Sequence, residues 1–124
     1  MATGSVKGVY ALEFRGSEVC TAKNGATLDT SQSYTRASKR NGVATIEIRI
    51  TCPTITSSQS KVVIATLTDE LKPQVALTYI KVYEMWNPAL AGSITIEANG
   101  DIYAFDNCSG KNIQIVLTYP AQTM

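Results

Sequence analysis

The chain has 124 residues, the length of one ordinary domain, with 44% hydrophobic and 17% charged residues, a balance that excludes both a disordered chain and a highly charged helix. Eleven Lys and Arg against ten Asp and Glu leave a formal charge of +1, so nothing in the charge points to nucleic acid or an anionic membrane. The chain has no histidine, which removes Ser-His-Asp and Cys-His catalysis, histidine-bearing zinc sites and two-His iron sites.

Turn signals recur at short intervals, and the segments between them alternate apolar and polar residues with period two, the all-β pattern. Val6 to Phe14 is the first predicted strand. Asn24-Gly25 is the first of three Asn-Gly dipeptides suited to a type I′ hairpin turn, because Asn and Gly accept positive φ at least cost. Its flanks, Cys20 to Lys23 and Ala26 to Asp29, alternate little. Around Asn41-Gly42 the register pairs Ala37 with Ile46 and Thr35 with Ile48 inward, and Arg36 with Glu47 and Tyr34 with Arg49 outward. Lys61 to Leu67 is the next strand, and Val62, Val63, Ile64 and Ala65 predict a central position covered on both faces. At most one helical turn, near Asp69 to Leu71, precedes Pro73, and a strand over Val75 to Met85 follows. Taking Asn99-Gly100 as a two-residue loop places Ile96 opposite Tyr103 and Ile94 opposite Phe105, with all four facing the core. Asn112 to Tyr119 is the last strand. No window sustains a helical period, so eight or nine short strands predict an all-β fold over residues 1–124, a compact antiparallel β-sandwich, jelly-roll-like, with almost no helix.

Cys20, Cys52 and Cys108 are odd in number, far apart and without CxxC spacing, which predicts free thiols, no disulfide and synthesis in a reducing cytoplasm. No run approaches the ~18 apolar residues of a membrane span, and no basic-then-apolar signal peptide is read. Glu47 and Glu97 alternate with apolar residues, while Asp29, Asp69 and Asp106 sit in turn-like contexts, so the acids read as solvent-facing or turn residues. No phosphate loop, nucleophile elbow or calcium loop is present. The expectation is therefore no catalytic residue, no metal set and no cofactor. Trp86 is the only tryptophan and stands in Met85-Trp86-Asn87-Pro88, where a strand gives way to a loop. Its indole either packs at a sandwich end or subunit contact, or offers a stacking surface to a sugar ring. Asp106 to Lys111 is a polar loop that reads either as a plain connection or as a source of hydrogen bonds. Only these two loops combine aromatic faces with hydrogen-bonding side chains, so Tyr83, Trp86, Asn87, Asp106 and Asn107 form the candidate saccharide site.

The order of segments Asn41-Gly42-Val43, Ile46 to Ile50, Val63-Ile64-Ala65-Thr66-Leu67, Lys72-Pro73, Gly92 to Ile96, Asn99 to Tyr103 and Leu117-Thr118-Tyr119-Pro120-Ala121 resembles a known family. It is similar to the receptor-binding head domain of tail and baseplate proteins from phages and prophages of Gram-positive bacteria, over roughly residues 41 to 121. Thr68-Asp69 stands where that family commonly has Pro after the Ile-Ala-Thr-Leu segment. The resemblance implies a β-sandwich head, commonly a homotrimer, located on a virion tail or phage-tail-like particle after synthesis in the bacterial cytoplasm. Its implied partners are a cell-surface saccharide of a Gram-positive host and other tail or baseplate proteins, with no nucleic acid and no membrane insertion. At head size, the chain reads as an excised domain or a small stand-alone relative. Three other readings stay open: a structural trimerising tail or fibre component without ligand, a tumour-necrosis-factor-like jelly-roll ligand domain, and a glycan-degrading enzyme.

Overall fold

The computed structural model describes residues 2–6, 9–85, 87 and 90–123, with side chains described over 11–85, 87 and 91–123. Among the described residues eleven strands form: β1 Ala2–Val6, β2 Val9–Arg15, β3 Cys20–Ala22, β4 Thr27–Leu28, β5 Arg36–Arg40, β6 Val43–Thr51, β7 Lys61–Leu67, β8 Leu77–Glu84, β9 Leu90–Ile96, β10 Asp101–Phe105 and β11 Asn112–Pro120. The only helical pieces among the described residues are three 3-10 turns, at Gly16–Glu18, Asp69–Leu71 and Asp106–Cys108. The all-β architecture expected from the alternation is what forms.

All strand pairs are antiparallel and make one curled sheet in the order β1-β2-β5-β6-β11-β8-β9-β10-β7-β3, with β4 beside β6. The curl divides into two halves that meet where β11 pairs with β8 at only Ile113↔Glu84 and Gln114↔Tyr83. Residues from both halves enter one core: Ala44, Ile46, Ile48 and Ile50 of β6, Ile113 and Ile115 of β11, Ile94 and Ile96 of β9, Ile102 of β10, and Ile64 and Leu67 of β7. Each fully buried isoleucine is worth about 1.5–3 kcal/mol by area transfer, so this β-branched set carries much of the folding free energy.

The Asn41-Gly42 hairpin forms in the expected register from Arg40↔Val43 to Arg36↔Glu47, but the ladder stops there: the Thr35 hydroxyl accepts the Arg49 amide and Arg49, expected outward, is buried. Both residues have positive φ (51° and 81°), and Ala37 faces Ile46 while Arg36 faces Glu47. The outward pair Arg36–Glu47 is joined by an Nε to Oε2 contact of 3.1 Å. Asn24-Gly25 has the same positive-φ turn, yet it does not close a hairpin, because β3 pairs with β7 and β4 with β6. This turn carries the chain from one half of the sheet to the other. The weak alternation of its flanks has that cause, since neither short strand has the other as its partner.

The Asn99-Gly100 hairpin forms with a different register. The amide of Glu97 donates to the Asp101 carbonyl, so the loop is the three residues Ala98, Asn99 and Gly100, and only Gly100 has positive φ. A third residue in the loop shifts the pairing by one position, placing Ile102 opposite Ile96 and Ala104 opposite Ile94. Ile94, Ile96, Ile102 and Ala104 are buried, while Tyr103 and Phe105 are half-buried on the opposite face. β7 is not central either: it lies between β10 and the edge strand β3. Its adjacent buried residues Ile64 and Ala65 are accommodated by an extra residue at Ile64, between the pairs Ile102↔Ala65 and Tyr103↔Val63.

Candidate functional site

β8 and β10 both run antiparallel to β9 and therefore parallel to each other, so Glu84 and Phe105 end at the same edge of the sheet. The two loops singled out in the sequence are thereby brought to one end of the fold. Met85 donates its amide to the Asn112 carbonyl at 2.9 Å, and Asp106 donates its amide to the Ser60 carbonyl at 2.9 Å. The polar loop that follows is anchored on several sides. Gly110 bonds to the Pro53 carbonyl, Ile55 donates its amide to the Ser109 hydroxyl at 2.8 Å, and the Lys111 ammonium donates to the Ala91 carbonyl at 3.1 Å.

The five candidate residues fare differently in this geometry. Tyr83 is exposed on the outer face of β8, Asn87 is exposed in the following loop, and Asp106 is exposed at the start of its 3-10 turn. Asn107 is exposed too, but its side-chain oxygen accepts the Ser93 amide at 3.1 Å, which makes it a cap on β9. Trp86 lies outside the described residues.

The aromatic surface on the outer face of these strands comes mainly from Tyr79, Phe105 and Tyr103, the last two of which the sequence register turns inward. Tyr79 is 72% exposed, and its ring stacks on Phe105 with centroids 5.3 Å apart and planes inclined by 19°. With one ring face on Phe105, exposure that high leaves the other face to solvent. Tyr79 has φ +54°, rare for a bulky residue, and sits in a bulge where β8 advances from Leu77↔Ile96 to Ile80↔Ile94. Its amide is held by the hydroxyl of Thr95, itself buried, at 3.2 Å. On the same outer face the Lys61 ammonium stands over the Tyr103 ring, 4.6 Å from its centroid, and Lys61 pairs with Phe105 across the ladder. Tyr79, Phe105 and Tyr103 thus form an aromatic shelf along the outer face of β8, β9 and β10, with Lys61, Lys81 and Asp106 as charged groups nearby. The sequence signal that could have located it is the aliphatic set Ile94, Ile96, Ile102, which competes better than Tyr and Phe for the core side of the hairpin.

A concavity lies on the other half of the fold. An open groove of about 680 Å³ crosses the outer face of β2, β5 and β6, with Glu13, Arg15, Gln32, Arg36 and Glu47 among its lining, and its one aromatic, Phe14, is buried. It offers charge without a stacking surface.

Under the polar loop lie two of the three cysteines. Cys52 and Cys108 are buried free thiols whose side chains lie near enough to influence each other, and Cys20 is a buried free thiol elsewhere. The Cys52 side chain is the main cause that lowers the Cys108 thiol, with the Lys111 ammonium assisting, whereas the Cys108 side chain and burial raise Cys52. Among the described residues no group of three or more His, Cys, Asp or Glu could hold a metal ion, and no helix is long and apolar enough to cross a membrane.

No family model, curated protein or solved structure matches this chain.

Proposed function

We propose that the protein is a non-enzymatic adhesion module that binds a neutral or weakly charged saccharide on the β8–β10 end of the fold. The observation that carries the reading is the solvent-facing ring of Tyr79, backed by Phe105, on the face that also bears Tyr83 and ends at Asp106. An aromatic ring covers the apolar face of a sugar, and carboxylate, amide and ammonium groups at its rim take the hydroxyls. The resemblance over residues 41 to 121 supplies the setting: a receptor-binding head on a phage tail or tail-like particle, acting as a homotrimer. Each contact of this kind is weak. Affinity per site is about millimolar to high micromolar, and useful attachment comes from several sites engaged together.

A second reading is a trimerising tail component without ligand. It is favoured by Val75 and Val116, exposed at 70% and 59% respectively, as apolar surface available to a neighbouring copy. A glycan array of neutral cell-wall oligosaccharides, run beside sedimentation, separates the two. The adhesion reading requires retention of a subset of glycans by the wild type and its loss in Tyr79→Ala with unchanged circular dichroism. A trimer that retains no glycan supports the structural reading instead.

A further inference from the structure

The three cysteines do not occupy equivalent places. Cys52 follows β6 directly, and its amide donates to the Lys111 carbonyl at 2.8 Å, while Gly110 donates to the Pro53 carbonyl at 3.0 Å. Two segments more than fifty residues apart in sequence are thus bonded side by side, and each carries one cysteine. Cys108 closes the 3-10 turn Asp106–Cys108, and its sulfur lies 3.5 Å from the Ser93 carbonyl oxygen. Gly92 keeps that space open on the far side, because a Cβ there would meet the Cys108 sulfur at 2.8 Å. Cys20 pairs with Leu67 at the edge strand β3, apart from these two.

From this arrangement we propose that Cys52 and Cys108 are a peroxide-sensitive dithiol that closes to an intramolecular disulfide, with Cys20 a bystander. The neighbouring Cys52 side chain first, and the Ser93 backbone and Lys111 ammonium after it, favour loss of the Cys108 proton against the effect of burial, and Cys52 supplies the resolving sulfur. In the first step the Cys108 thiolate attacks one oxygen of hydrogen peroxide. The O–O bond breaks, hydroxide leaves and takes a proton to become water, and Cys108 becomes a sulfenic acid. In the second step the Cys52 sulfur attacks the Cys108 sulfur, the S–O bond breaks, and the departing hydroxide takes the Cys52 proton as a second water. The thiols lose two electrons and two protons between them, and peroxide is reduced to water. The product ties the end of β6 to the turn that begins at Asp106, fixing the floor beneath Phe105 and Asp106.

The test is intact-mass and non-reducing peptide mapping of the full chain after titration with hydrogen peroxide. The expected result is a monomer lighter by about 2 Da with a cross-link joining the Cys52 and Cys108 peptides, reversed by dithiothreitol, and the same product in Cys20→Ser. In Cys52→Ser the sulfenic acid at Cys108 should accumulate and be trapped by a cyclic 1,3-dione. An unchanged mass, a cross-link that includes Cys20, or a disulfide between two chains overturns the proposal. The wild-type peptide map decides the matter even if a serine variant does not fold. Saccharide binding plays no part in the readout, so failure here leaves the proposed function standing.

Discussion

Ile102 stands directly opposite Ile96, and both are completely buried. That single pairing fixes which face each residue of β10 takes, because side chains alternate along a strand. Tyr103 and Phe105 consequently lie on the outer face, where Phe105 can support Tyr79. The aromatic surface of the candidate site is thus a consequence of core packing on the reverse side of the same two strands.

The backbone of Tyr79 adopts a conformation that suits glycine. Tyr79→Gly and Tyr79→Ala both remove the ring, but only glycine relieves the positive φ. Glycine should therefore be the more stable of the two by about 1 kcal/mol in chemical denaturation, with both losing glycan retention. Equal stabilities would mean that the bulge relaxes when the ring is removed.

Gly92 faces the loop from below. A Cβ at this position would run into the Asn107 side-chain oxygen, the group that accepts the Ser93 amide. Gly92→Ala should cost about 1–3 kcal/mol, and amide hydrogen exchange should rise first in the 106–111 segment. A variant as stable as the wild type would show that the cap on β9 is dispensable.

Burial pushes the Cys20 thiol from its ordinary 9.0 up to about 12. Between these values the unfolded chain gives up the proton and the folded chain keeps it, so the unfolded state binds fewer protons and stability falls as pH rises. The contribution is fully present below about pH 9 and is lost as pH approaches about 12. Tyr119, buried with its hydroxyl donating to the Leu71 carbonyl at 2.6 Å, is also raised, first by burial and then by Cys20, and acts in the same direction. Denaturation midpoints measured against pH should decline through this window, and less steeply in Cys20→Ala. An identical slope in the variant would contradict the assignment.

Much of the fold was legible because alternation is a local property. The Ala37 to Ile46 register followed from Asn41-Gly42 and the charges Arg36 and Glu47, and Lys61 to Leu67 showed its strand through the consecutive β-branched residues Val62, Val63 and Ile64. Partner identity was not local. Cys20 to Ala22 and Thr27 to Leu28 flank a good hairpin turn, yet each pairs with a distant strand, and nothing in those few residues encodes β7 or β6. The candidate site was readable as two loops, one following Tyr83 and the other opening at Asp106. Its aromatic shelf was not, because treating Asn99-Gly100 as the whole loop turned Tyr103 and Phe105 inward. The bulge at Tyr79 also escaped, since it depends on the Thr95 hydroxyl of a neighbouring strand.

The central claim, saccharide binding on the β8–β10 end, is tested most directly by a ¹H–¹⁵N correlation titration of the full chain. Neutral oligosaccharides containing glucose, rhamnose or N-acetylglucosamine would be added up to about 10 mM, the range that weak single-site recognition requires. The account predicts progressive, saturable shifts at Tyr79, Lys81, Ser93, Phe105 and Asp106 for at least one of them, absent in Tyr79→Ala. Shifts confined to the groove of Glu13, Arg36 and Glu47, or no shift with any of these sugars in a correctly folded sample, would contradict it.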